Sequence, residues 1–315
     1  MKNRRNFLKS SSLALAVLAG AGIPETGFSA PENAKLPTSK ERLDRIAFNT
    51  ATILRYDLPL LEQIRITHAA GFRNLEIWFR DLDRFLAEGG KLTDLRSRLD
   101  DLGMRIVGGI NFWGWGLPDD EKRKQAQTEM RRGMEQMKTL GCTHFAAAPA
   151  GIHNREGISL SELADRYRAI LEIGDEYGVY PQLEIWGPGC TLSKLSDAVW
   201  ITTETGHPEA SLLLDVYHLY RGGNDFASLR QLNGAQMSNF HWNDWPAGIE
   251  REKLSDGDRV FPGDGTAPIP FICGILDEIG FRGTFSLEIF NQKYCETYTP
   301  EELVRLSWEK MAGSV

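Results

Sequence analysis

Four residues able to bind a hard divalent cation, Glu184, Asp215, His241 and Glu288, each end a short apolar run in the second half of the chain. The runs are Q-L-E-I-W, L-L-L-D-V-Y-H, N-F-H-W-N-D and S-L-E-I-F. A carboxylate inside such a run is costly unless it is paired or bound to a cation. One such glutamate alone would suit a salt bridge to a rim arginine equally well. Three carboxylates and an imidazole delivered to the same place form a cage for one divalent ion, Mn²⁺ first, with Mg²⁺, Co²⁺ or Zn²⁺ as alternatives. His218, three residues after Asp215, reads as a contact to a substrate oxygen or a group that orients the site. Arg259, in D-R-V-F-P-G-D-G, offers a guanidinium to a hydroxyl, carboxylate or phosphate, a loop salt bridge being its plainer use. Glu76, in N-L-E-I-W, repeats the strand-end placement and is expected near the substrate, outside the metal cage. Trp113, in the glycine-rich stretch N-F-W-G-W-G, is expected to wall off the substrate, with capping of the fold as its other use.

These side chains need elements that aim them at one point. Apolar runs expected as strands cover residues 46–50, 74–78, 105–110, 143–148, 180–186, 211–215, 236–241 and 283–290. Apolar spacing of three and four residues predicts helices over 58–70, 92–102, 120–140, 159–177, 192–203, 226–233, 269–279 and 300–310. Glycines such as Gly141, Gly178 and Gly206 fall just past helix ends, where a left-handed residue is wanted. Eight strands, each followed by a helix, predict an α/β fold of the (β/α)8 TIM-barrel class in a single domain, 43–315. No G-x-G-x-x-G follows the first strand, which disfavours a dinucleotide fold. The segment 242–266, rich in Asp, Gly, Pro and Arg, is a long loop after the seventh strand, at the face where barrels build their sites.

A chain of 315 residues with 42% hydrophobic content can bury one large barrel, and its net charge of −7 argues against a duplex nucleic-acid partner. The four cysteines show no C-x-x-C spacing, so neither a structural zinc site nor a disulfide framework is expected. Residues 1–30 stand apart: R-R-N-F-L-K precedes a moderately apolar stretch over 13–23 that is too short to span a membrane. This reads as a twin-arginine signal, followed by a polar linker over 31–42. The expectation is export to the periplasm with no stable membrane insertion once the signal is removed. A homo-oligomer is left open beside a monomer.

With these motifs in order, the chain over 45–310 resembles the xylose-isomerase-like TIM-barrel superfamily, which includes sugar epimerases, hydroxypyruvate isomerase, inosose dehydratase and the endonuclease IV group. The resemblance rests on L-E-I-W with Glu184, L-L-D-V-Y-H with Asp215 and His218, F-H-W-N-D with His241, R-V-F-P-G-D-G with Arg259, and S-L-E-I-F with Glu288. It implies that Glu184, Asp215, His241 and Glu288 hold one Mn²⁺-like ion. It also implies that Glu184 and Glu288 move protons at adjacent substrate carbons, and that His218 and Arg259 hold substrate oxygens. The trinuclear zinc site of endonuclease IV relatives needs a D-R-H step, and here the step is Asp258-Arg259-Val260, so the DNA-repair reading is rejected. Proton return to the same carbon is epimerisation, return to the next is isomerisation, and departure of a β-substituent is elimination. The expected substrate is a small carbohydrate. The function expected is a metal-dependent isomerase or epimerase. A lyase or dehydratase on a keto-sugar, keto-glycoside or cyclic polyol ketone is the alternative, and a sugar-binding barrel without catalysis is the third reading.

Overall fold

Eight parallel strands wind into a nearly closed barrel in the computed structural model, which describes residues 39–315. The segment read as an export signal, and the linker up to residue 38, lie outside the described residues. The strands are β1 (Ile46–Asn49), β2 (Asn74–Trp78), β3 (Arg105–Ile110), β4 (His144–Ala147), β5 (Tyr180–Glu184), β6 (Leu212–Asp215), β7 (Asn239–Trp242) and β8 (Thr284–Leu287). Their order is β3-β2-β1-β8-β7-β6-β5-β4, so β1 pairs β8 in parallel and the seam falls between β3 and β4. These two strands lie against each other there, and Asn111 Nδ2 ties the seam by donating to Ala146 O at 2.8 Å.

The helices are α1 (Ser39–Leu43), α2 (Leu60–Ala69), α3 (Phe79–Ala87), α4 (Leu92–Asp101), α5 (Asp120–Leu140), α6 (Leu160–Tyr177), α7 (Leu195–Thr205), α8 (Val216–Arg221), α9 (Ile269–Glu278), α10 (Gln292–Thr297) and α11 (Pro300–Ser314). Local chemistry sets their ends. Ser159 and Glu162 form a reciprocal capping box at the start of α6, at 3.1 and 3.0 Å. Gly141 ends α5 at φ 75°, a left-handed conformation that a β-carbon disfavours. Among the described residues no helix is long and apolar enough to cross a membrane.

Several elements differ from the expected set. Residues 226–233 form only a 3₁₀ turn, Phe226–Gln231, started by Asp225 accepting from Ala227 N. The helix after β6 is instead α8, which begins immediately after Asp215. α3 fell in no expected element. Its R-D-L-D-R segment carries charge on both sides of Leu82, which hid the single buried face formed by Phe79, Asp81 and Leu82.

Strand alternation explains how the site is aimed. On β6, Leu212 and Leu214 join the large core under the helices, while Leu213 points into the barrel with Ile110 and Ala146. The other side of the barrel interior is polar: Asn49, Glu76, Asn239, His241 and Ser286 from β1, β2, β7 and β8 hydrogen-bond to one another. Gly108 on β3 makes room for them. A Cβ there would sit 2.5 Å from Asn239 Nδ2 and 2.6 Å from Glu76 Oε1.

Candidate metal centre

The strand register brings three of the four expected ligands close together. Asp215 lies opposite His241 and His241 opposite Ser286, with Glu288 two residues further along the same chain. One ligand atom from each of Asp215, His241 and Glu288 lies within 4.8 Å of the others, and all three residues are buried. Glu184 pairs with Leu213, two residues below Asp215 in register, and falls outside this close group. It remains on the same cavity as Glu288, His218 and Arg259.

His241 Nδ1 is the best indicator of a cation site. It is fully buried, stands 3.3 Å from Glu288 Oε2 and 3.6 Å from Asp215 Oδ2, and has no hydrogen-bond partner. The other ring nitrogen, Nε2, lies 3.1 Å from Glu76 Oε2. That carboxylate also accepts from Ser286 Oγ at 2.6 Å and Asn49 Nδ2 at 2.9 Å, while its Oε1 accepts from Asn239 Nδ2 at 3.3 Å. A carboxylate ringed by donors fixes the proton of the neutral imidazole on Nε2 and turns the Nδ1 lone pair toward Asp215 and Glu288. Two carboxylates and an imidazole nitrogen without a partner suit a divalent cation, so the residues present fit such an ion.

Arg259 is the counter-charge of the centre. Its Nη1 donates to Asp215 Oδ2 and Glu288 Oε2, both at 2.9 Å, and its Nη2 reaches Asp256 Oδ1 at 2.6 Å. The guanidinium is buried between the rings of Tyr217 and Phe290, 4.5 and 5.2 Å from their centroids. Burial pushes Asp215 up, but Arg259 and His218 outweigh it and hold the carboxyl well below the usual range. Glu288 is likewise pushed up by burial and brought below its ordinary value by His241 and Arg259. Glu184 differs: burial, with Glu288 and Asp215 adding to it, raises it to about 8 against an opposing effect of His241. Burial pulls His241 down, yet Glu288 and Glu76 outweigh it and hold the imidazole well above its usual range. A proton and a metal ion therefore compete for Nδ1.

His218 lies in α8, where Asp215 Oδ1 accepts from its backbone N–H at 2.9 Å and caps the helix. An N–H donor lies near each ring nitrogen, Gly187 N–H 3.3 Å from Nδ1 and Arg259 Nη2 3.1 Å from Nε2, and a neutral ring accepts from only one of them. Burial lowers it to about 4, so the ring is neutral and polar toward the cavity.

Two expected substrate contacts lie elsewhere. Glu76 does not line the cavity. It sits beneath His241, because its position on β2 points into the barrel one layer below the mouth. Trp113 packs on Phe79 and Phe145, with centroids 4.7 and 6.0 Å away, and so closes the core under α3. Its neighbour Phe112 faces the cavity instead, since successive residues of an extended loop point in opposite directions.

Asp244 escaped the sequence reading. Its Oδ2 accepts from Gly263 N and Gly265 N at 3.0 Å, and its Oδ1 from Ala267 N at 2.7 Å and Trp245 N at 2.8 Å. Its backbone also bridges Val260, next to Arg259. One buried carboxylate thus folds the long loop after β7 and places the guanidinium. The N-D pair after His241 was its only trace in the sequence. Three of the four donors come from residues about twenty positions later.

Residues 64–311 match the model of the family described as xylose isomerase-like TIM barrel. An inosose isomerase of Bacillus velezensis is 28% identical over 275 residues, which are 84% of this chain and 95% of that protein. A 3-dehydroshikimate dehydratase of Pseudomonas putida is 25% identical over 243 residues, 75% of this chain and 36% of that longer protein. Among solved structures, the IOLI protein with a binding zinc atom superposes with a TM-score of 0.79 at 26% identity, over 86% of this chain and 98% of that one.

Proposed function

We propose that this chain, which belongs to the xylose isomerase-like TIM barrel family, is a divalent-metal-dependent isomerase of a cyclic polyol ketone or related keto-sugar. The observation that carries the reading is the buried His241 Nδ1, without a hydrogen-bond partner and turned toward Asp215 and Glu288. Asp215, His241 and Glu288 would hold the ion, with Glu184 as the fourth ligand when its carboxyl is ionised. Mn²⁺ is the ion proposed first. The zinc atom of the IOLI protein supports a divalent ion of this size and charge. Such an ion supplies Lewis-acid polarisation of a ketone and its neighbouring hydroxyl.

The chain's own groups supply the rest. Glu184 and Glu288 both border the cavity: one takes the proton from the carbon beside the carbonyl, and the other returns a proton to the neighbouring carbon. Neutral His218 contacts a substrate oxygen at the cavity wall, and Arg259 holds Asp215 and Glu288 in place. Trp78, Trp186 and Phe290 keep water from the reacting carbons.

Elimination is the second reading, and the resemblance to 3-dehydroshikimate dehydratases favours it. There the same proton abstraction is followed by loss of a β-hydroxyl, which leaves with the proton returned by the partner glutamate. We also propose that Arg4 and Arg5, ahead of the apolar stretch 13–23, direct twin-arginine export to the periplasm.

The test incubates the metal-loaded protein with a monocyclic polyol ketone such as 2-keto-myo-inositol in D₂O. Deuterium entering the ring with the carbon skeleton and hydroxyl count intact supports isomerisation. Release of water supports elimination. No exchange above that of chelator-treated protein refutes both.

A further inference from the structure

We propose that the cavity above the metal centre contains a second ring-binding subsite, so that the substrate carries a second ring joined to its reacting polyol ketone. The inference rests on the preceding reading for the chemistry at the centre and extends it outward to the mouth.

The cavity has a volume of about 470 Å³, within the range that takes ligands of drug size and more than a single six-membered polyol fills. Beside the carboxylates and Arg259 of the centre, its polar lining includes Arg55, His153, Asn154 and Asp256. Above the centre runs an unbroken aromatic wall. Phe290 meets Trp78 at 6.1 Å between centroids, Trp78 meets Phe112 at 5.3 Å, and Phe112 meets Trp186 at 5.9 Å. The wall is anchored at its inner end, since Phe290 lies under the Arg259 guanidinium and Trp186 stacks on His218 with 29° between ring planes. Trp78 Nε1 already donates to Asn49 Oδ1 at 3.2 Å, so this residue presents its ring to the cavity and not a free donor.

The outer end is the informative part. Phe112 leaves 50% of its surface exposed at the cavity mouth. A polyol seated on the metal centre by its carbonyl and hydroxyl leaves this outer wall unused. A ring with an apolar face, linked to the polyol through a glycosidic oxygen, would lie on Phe112 and Trp186 and bury both. Sugars with axial C–H faces and aryl groups share this chemistry, and the experiment separates them.

The test measures binding to the metal-loaded full-length protein by quenching of tryptophan fluorescence, with glucose, cellobiose and phenyl β-glucoside as probes. Trp78 and Trp186 report directly because they line the cavity. Cellobiose, phenyl β-glucoside or both should bind at least tenfold tighter than glucose, a ratio in keeping with added ring stacking and buried area. Tighter binding of cellobiose identifies a sugar as the second ring, and of phenyl β-glucoside an aryl group. In Phe112→Ala the preference should fall below threefold. Phe112 is half exposed on a loop, so the variant keeps the fold. Equal binding of all three probes, no binding of either two-ring probe, or a preference that survives both Phe112→Ala and Trp186→Ala overturns the proposal. Binding needs no turnover, so failure here with deuterium exchange intact leaves the proposed reaction standing. Failure of exchange with the preference intact does the reverse.

Discussion

Replacing Asp244 by asparagine should loosen the loop that carries Arg259, and the structure gives the size of the effect. The carboxylate is an acceptor only, and four backbone N–H groups converge on it, two on each oxygen. Asparagine retains the shape but turns one of the two oxygens into a donor. Whichever way the amide lies, two N–H groups then face another N–H: either Gly263 and Gly265, or Trp245 and Ala267. A buried donor left without an acceptor costs about 1–3 kcal/mol, so two give about 2–6 kcal/mol. Gly263 is exposed and water can satisfy its N–H, which favours that orientation and leaves one orphaned donor, an expected loss of about 1–3 kcal/mol. Equilibrium unfolding in urea should show this as a lower midpoint with an unchanged slope. The same variant should lose turnover in the native baseline, because Val260, bridged to Asp244, fixes the backbone next to Arg259. A destabilisation below about 0.5 kcal/mol, within the range of an ordinary surface substitution, would refute the clamp.

Glu288→Gln should lower turnover by about 10²–10⁴-fold, as expected for loss of a proton-transferring carboxylate. Rate and metal content measured together would separate that role from ligand loss, and near wild-type turnover with metal bound would contradict it. Metal affinity should rise with pH up to about 8 and then level off for the Glu184 contribution. Burial keeps that carboxyl protonated below this value, and binding as a ligand must release the proton. Competition with a chelator at several pH values reads the slope, and a flat response between pH 6 and 8 would remove Glu184 from the ligand set. Arg4→Lys combined with Arg5→Lys should retain the folded protein in the cytoplasm, and unchanged periplasmic yield on fractionation would show that the signal is misread.

The barrel and the grouping of Asp215, His241 and Glu288 were legible because both are written locally. A carboxylate at the end of an apolar run stands out against the period of two, and Asp215, His241 and Glu288 do converge. What escaped depends on partners distant in the chain. Glu76 looked like another strand-end contact, and only the fold shows His241, 165 residues away, above it. Asp244 draws its donors from Gly263, Gly265 and Ala267, beyond any local pattern. In N-F-W-G-W-G the glycines erase periodicity, so the sequence does not say which aromatic faces the cavity: Phe112 does, and Trp113 packs into the core. The helix α8 was hidden because Asp215 serves twice, as a candidate ligand at the end of β6 and as the cap of the turn that follows.

Anomalous diffraction from crystals of the full-length protein grown with Mn²⁺, recorded above and below the manganese edge, tests the central claim most directly. The account predicts one manganese peak per chain, bonded to Asp215, Glu288, His241 Nδ1 and Glu184. No peak there, a peak held by other residues, or His241 bonded to carboxylates alone at full Mn²⁺ loading would contradict it.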